Sequence, residues 1–228
     1  AEVSAKTCGT KPTKVSNNYS NCYSMRQPTE TSLAEATGLF ERNGGVMRTA
    51  EALGAGIQAR TLYWMRDHGL LECLSRGVYH LTSLPMPPRP DVVAVVRRIP
   101  SATLCLVTAL DLHEVGTQIP FEVHIALPFG TKNPQIDRPR VGVFHMSTTS
   151  LEAGVETMDI GGHSVRVFGI AKTVADCFKF RTRIGLDVAV EALQEAIREK
   201  RTTPAEIMRY AKIDRVADIV RPYLEALL

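Results

Sequence analysis

Gln58, Arg60, Thr61, Tyr63 and Trp64 fall within one short segment and are the side chains best equipped to read a polar surface. Arg60 can donate two parallel hydrogen bonds to a guanine edge, and Gln58 can pair with adenine. Thr61 and Tyr63 can reach phosphate oxygens. Trp64 has two readings, a contact residue or part of the core, since large aromatics are mostly buried. Arg48 precedes a short helix and is placed to meet a phosphate backbone. Thr49 can cap that helix with its hydroxyl. Arg76 lies in the Ser75-Arg76-Gly77 turn, where a cation can reach phosphates or a minor groove. The set Arg48, Thr49, Gln58, Arg60, Thr61, Tyr63, Trp64 and Arg76 therefore points to double-stranded DNA as a partner.

The elements that must position these residues are legible. Leu33, Ala36, Leu39 and Phe40 repeat at helical spacing and predict an amphipathic helix, stopped by Asn43-Gly44-Gly45. A short helix runs from Thr49 to about Leu53. Gly54-Ala55-Gly56 turns the chain into a second helix from Ile57 to about His68, with Leu62 and Met65 facing inward. Leu70 and Leu71 begin a strand that turns at Ser75-Arg76-Gly77 and returns through Val78, Tyr79 and Leu81. Two helices joined by a glycine turn, then a hairpin, form a winged helix-turn-helix over residues 32–83. This stretch holds Arg42, Arg48, Arg60, Arg66 and Arg76 against Glu35, Glu41, Glu51, Asp67 and Glu72, so it is net neutral. DNA affinity must then come from where charges sit rather than from their sum. A winged helix used only to dock protein partners is the alternative reading.

The chain has 228 residues, a net charge of +3, 44% hydrophobic and 22% charged residues, an ordinary globular composition. It holds no apolar run long enough to span a membrane. The five cysteines, 8, 22, 73, 105 and 177, form no CxxC pair, which argues against zinc. Their scatter fits reduced thiols in a cytoplasmic protein. Residues 1–31 are polar, with Lys6, Lys11, Lys14 and Arg26, and read as a disordered tail in which Met25 is a plausible native start.

Residues 84–90, with four prolines, predict a stiff linker. The remainder, 91–228, predicts an α+β domain. Helices run from Asp91 to Arg98 and from Ser101 or Thr103 to His113, and strands cover Phe121–Leu127 and Val141–Phe144. A hairpin of Val155–Ile160 and Val165–Phe168 follows, then a helical tail from Ala171 to Leu227 that includes a Thr203-Pro204 helix start. The fold class is thus α+β, a winged helix-turn-helix followed by a small sheet and a helical tail. Lys172, Lys179, Arg181 and Arg183 form a basic run for DNA phosphate or an acidic partner. The other reading is a solvated helix face with an internal Lys172–Asp176 pair.

Enzyme chemistry is poorly supplied. Asp111 with Glu122-Val123-His124 imitates a nuclease motif but lacks its lysine. His113, His124 and His145 could approach one sheet, yet such residues more often satisfy core hydrogen bonds. No phosphate-binding glycine loop or nucleophile elbow is present. No cofactor or metal is expected, and the chain reads as a binding protein.

The segments Gly69-Leu70-Leu71, Arg76-Gly77-Val78-Tyr79, Ala171–Arg181, Ile184–Ala189 and Arg221–Glu225 together resemble the AbiEi antitoxin family of bacterial abortive-infection, type IV toxin–antitoxin systems. The resemblance spans Leu33 to Leu228. It implies that the winged helix binds operator repeats upstream of its own operon and represses it. It implies that the second domain counteracts a toxin resembling nucleotidyltransferases, without a stable complex being required. It also implies that basic surface on both domains assists DNA binding, which makes Lys172, Lys179, Arg181 and Arg183 candidates. Oligomeric state and operator sequence stay open.

Overall fold

The computed structural model describes residues 27–227. Most of the expected tail, residues 1–26, lies outside them. Its last residues do not: helix α1 spans Glu30–Arg42, and the Thr29 hydroxyl caps it by accepting the Ser32 N–H at 3.2 Å. Residues 29–31 are therefore part of a capped helix, Thr29 satisfying one of the orphan donors of the first turn. Gly44 and Gly45 follow at φ +69° and +79°, backbone that glycine adopts without a Cβ clash.

Three strands and two helices complete the first half. They are β1 Val46–Arg48, α2 Thr49–Gly54, α3 Ala59–Asp67, β2 Leu71–Ser75 and β3 Val78–Leu81. The sheet order is β1-β3-β2, antiparallel throughout. Alternation divides its side chains between two faces. Met47, Leu71, Tyr79 and Leu81 join Phe40, Leu62 and Met65 in a core beneath α1 and α3. Val46 and Val78 point the opposite way and pack on Val92, Val93 and Val95.

Those valines belong to α4, Pro90–Arg98, which starts directly after the prolines. Pro90 occupies the first helical position and Arg89 the cap, so Asp91 sits inside the first turn. Pro87 is buried, so the proline segment lies partly against the protein. It leads the chain back under the wing.

The second sheet has the order β6-β5-β4-β8-β7, with β4 Thr103–Leu104, β5 Val123–Pro128, β6 Val141–Met146, β7 Val155–Ile160 and β8 His163–Phe168. β5–β6 and β4–β8 are parallel, and β4–β5 and β7–β8 are antiparallel. α5, Leu106–Leu112, starts after β4 where a helix from Ser101 or Thr103 to His113 was expected. The short α6, Thr148–Glu152, follows β6. A helical layer closes the fold: α7 Ile170–Lys179, α8 Arg181–Ile184, α9 Leu186–Arg198, α10 Pro204–Ile213 and α11 Ala217–Glu225. α10 begins with the expected Thr203-Pro204 start, Thr203 and Glu206 forming a capping box.

α7 is the centre of this layer and every residue from Ala171 to Phe178 is buried. That includes Lys172, which is fully enclosed. Its ammonium pairs with Asp176 one turn on, with Asp214 at 2.9 Å and with the Ser150 hydroxyl at 3.3 Å. Lys179 reaches the same Asp214 at 2.8 Å. Burial pushes the Asp176 carboxyl up to about 8 against the pull of Lys172. Burial also acts to raise Asp214, but Lys172 and the hydrogen bonds from Lys179 and Ser150 outweigh it and hold this carboxyl below its usual range. The Asp214 contribution is therefore present above the ordinary carboxylate pKa and lost as pH falls through the lowered one.

Two outcomes follow from this packing. Lys172→Met should cost about 3–5 kcal/mol in a urea denaturation, because the buried Asp176 and Asp214 lose the ammonium they share. A cost within experimental error would show that the cluster is not a buried ionic one. Trp64 is the only tryptophan and lies in α3, so its emission follows the winged helix while far-ultraviolet circular dichroism follows mainly the second half. The two thermal transitions should coincide, because the wing shares a core with α4. A Trp64 transition several degrees below the other would contradict this.

Candidate nucleic-acid interface

α3 presents one face to its own domain and the other outward. Thr61, Leu62 and Met65 are buried, whereas Ala59, Arg60, Arg66 and Asp67 are exposed and Tyr63 and Trp64 half-exposed. Arg60 makes no ion pair among the described residues. Gln58 is exposed at the helix cap, where no side chain covers the first N–H groups. Gln58, Arg60, Tyr63 and Trp64 therefore share accessible surface around the N-terminal half of α3.

Thr61 departs from the expectation. It is 2% exposed and lines the cleft between α1 and the turn before α3, so it cannot reach a phosphate from the outer face. Position 61 is one helical turn from Met65 and follows the inward stripe. Trp64 is neither fully core nor free. Its ring stacks on His68 with centroids 3.8 Å apart, and its edge packs against the winged-helix core.

Thr49 and Arg48 also change role. Arg48 holds the cap position of α2, and Glu51 Oε2 accepts its backbone N–H at 2.8 Å. Its guanidinium pairs with Glu51 at 3.2 Å, which draws it away from a backbone phosphate. Thr49 is the first helical residue, not the cap. Its N–H and its hydroxyl both donate to the Gly77 carbonyl, at 2.9 and 3.3 Å. This ties α2 to the wing turn.

The wing turn itself is Arg76-Gly77, between β2 and β3. Gly77 has φ +77°, which explains glycine there. Arg76 projects exposed from the turn without an ion-pair partner among the described residues. Two cations escaped the sequence reading. Arg66 lies over the Tyr63 ring at 5.1 Å and pairs with Asp67 at 2.7 Å; its spacing of three residues from Tyr63 was the available signal. Arg98, from α4, sits beside Gly77, its guanidinium 3.5 Å from where a Cβ would stand. No local pattern could place Arg98 there.

The basic run in the second half does not form a surface patch. Lys172 is enclosed, as described. Lys179 is turned into Asp214. Arg181 donates to the Phe178 carbonyl at 2.8 Å. Arg183 is exposed but lies flat on Phe144 at 3.9 Å and donates to the Val143 carbonyl at 3.2 Å. The side chains are spent on packing and hydrogen bonds, and only Arg183 presents a well-exposed cation.

The histidines considered for metal binding each have their own partner. His113 Nε2 meets the Phe168 carbonyl at 2.8 Å, His145 Nε2 meets the Thr131 carbonyl at 2.9 Å, and His124 Nε2 lies 3.3 Å from Glu122. No group of three metal-ligating side chains comes together among the described residues.

Three comparisons bear on this arrangement. Residues 38–82 match the family model described as transcriptional regulator, AbiEi antitoxin. No curated protein matches the chain. The crystal structure of the RV2827C protein from Mycobacterium tuberculosis is similar in fold, with a TM-score of 0.53 at 14% identity over 82% of this chain and 73% of that one. No helix among the described residues is long and apolar enough to cross a membrane. The matched segment begins in α1, takes in the whole helix-turn-helix and ends just after β3, and its family is one of antitoxin transcriptional regulators. The helix-turn-helix and wing of this chain, residues 38–82, are thus the part that is similar to AbiEi antitoxin transcriptional regulators.

Proposed function

We propose that the protein represses its own operon by binding operator DNA, and that its second half counteracts a nucleotidyltransferase-like toxin. α3 enters the major groove with Arg60 and Gln58 at base edges. Tyr63, Arg66 and Arg76 meet the flanking backbone, and Arg98 extends the same surface beside the wing. The observation that carries the reading is the exposed guanidinium of Arg60 on the outer face of α3, which makes no ion pair among the described residues, in a segment matching a regulator family.

The neutral charge of the segment does not oppose this. Among the described residues Arg48 and Arg66 pair with Glu51 and Asp67, whereas Arg42, Arg60 and Arg76 make no ion pair, and two of these three lie on the α3 and wing surface. Local potential, not net charge, sets the interaction with phosphate. The toxin is assigned by family resemblance, and its neutralisation need not require lasting contact.

Fluorescence anisotropy with DNA from upstream of the gene tests the reading. Arg60→Ala should weaken specific binding by about 1–3 kcal/mol and leave binding to scrambled DNA nearly unchanged. Arg76→Ala should weaken both and reduce the salt slope by about 1. Unchanged affinity in both variants would leave the winged helix as a protein-docking module.

A further inference from the structure

We propose that Arg97 and His163 form a proton-sensitive strut that fixes the helix-turn-helix against the second half of the chain. The consequence for DNA affinity rests on the function proposed above; the strut itself rests on geometry. Arg97, in the last turn of α4, spreads its guanidinium across three other elements. Nη2 donates to the Asn43 carbonyl at 3.3 Å and lies 3.1 Å from Nδ1 of His163, and Nη1 is 3.6 Å from Glu51. Asn43 ends α1, Glu51 lies in the first turn of α2 and His163 begins β8. One side chain thus joins both helices that support α3 to the central sheet of the second half.

The contact with His163 dictates a protonation state. A guanidinium has no lone pair to offer, so Nδ1 must be the acceptor and the ring must be neutral, with its proton on Nε2. Protonation would set two N–H groups against each other and place two cations in contact. The ring has little room to turn away. It is 4% exposed, and Gly44 packs so close that a Cβ there would stand 2.9 Å from Cε1.

The charged groups around the ring come from several elements: Arg97 of α4, Glu51 of α2 and Asp159 of β7, together with the Gly44 backbone. Burial first and Arg97 second push the imidazole below its usual range, and the Gly44, Asp159 and Glu51 contributions do not reverse this. The unfolded chain therefore binds the proton more readily than the folded one. The strut is fully formed above the ordinary histidine pKa of about 6.5 and its contribution is lost as pH falls from there through the lowered one. Closed, it holds the recognition surface in register; open, it releases the turn after α1 and the start of α2.

The test is hydrogen exchange of residues 43–54 in the full-length protein, corrected for intrinsic rate, at about pH 7.5 and about pH 5.5. Anisotropy with upstream and scrambled DNA runs in parallel. The wild type should lose protection by about tenfold on acidification, the scale of one pH unit of proton affinity. His163→Gln keeps an acceptor but does not titrate, so its protection should not change with pH. Arg97→Gln should be loose at both values. Specific DNA affinity should follow the same three patterns. Equal wild-type protection at both values, or loosening of His163→Gln like the wild type, would overturn the strut even if DNA binding is intact. The expected exchange pattern without specific DNA binding by any variant would uphold the strut and overturn the proposed function.

Discussion

All four residues of β3 are buried, and the arrangement of the first half follows from that. A strand with one covered face alternates between buried and exposed positions; one buried throughout needs a cover on each side. α1 and α3 cover the face of Met47, Tyr79 and Leu81, and α4 covers the face of Val46 and Val78. The wing sheet is the middle layer of three, and its lower cover is supplied by the other half of the chain. α3 is accordingly mounted on a layer whose stability the second half provides. This is also why Arg97 and Arg98, the last residues of α4, end beside α2 and the wing turn.

The second half obeys a different constraint. α7 is enclosed by α5, α9 and α10 and carries an ammonium into an interior that must compensate it. Asp214, the carboxyl held ionised, does so, with Asp176 accepting a hydrogen bond from the ammonium and Ser150 bridging Lys172 and Asp214. Removing one member would cost far more than the assembled cluster contributes, because a buried charge without a partner is expensive. Such a cluster specifies how α7, α10 and α6 meet. It also takes Lys172 and Lys179 out of contention for surface chemistry, so the proposed DNA surface draws on the cations of α3, the wing and the end of α4.

How much of this was legible follows from the range of the interactions involved. α1, α3 and the β2–β3 hairpin have local signatures: apolar residues at helical spacing, and a glycine turn between apolar runs. Their register depends on neighbours a few residues away, and the sequence shows it. β1 and β4 are three and two residues long, too short for any period to show, and they exist because β3, β5 and β8 offer them partners. Thr61 was misplaced by chemistry winning over geometry: its hydroxyl suggested a phosphate, while its spacing from Met65 already put it on the inner face. Lys172 was half legible. Asp176 one turn away suggested a pair, but Asp214 and Ser150 come from distant segments, and nothing local announces their arrival.

The central claim is that the outer face of α3 and the wing turn are the DNA-reading surface, carried on a layer that the second half completes. Backbone amide chemical-shift mapping, by titrating DNA from upstream of the gene into isotope-labelled protein, tests it most directly. The account predicts the largest shifts at Gln58–Asp67 and Ser75–Val78, smaller ones at Arg97 and Arg98, and none at Lys172–Lys179. Shifts confined to the second half, or no difference between upstream and scrambled DNA, would contradict it.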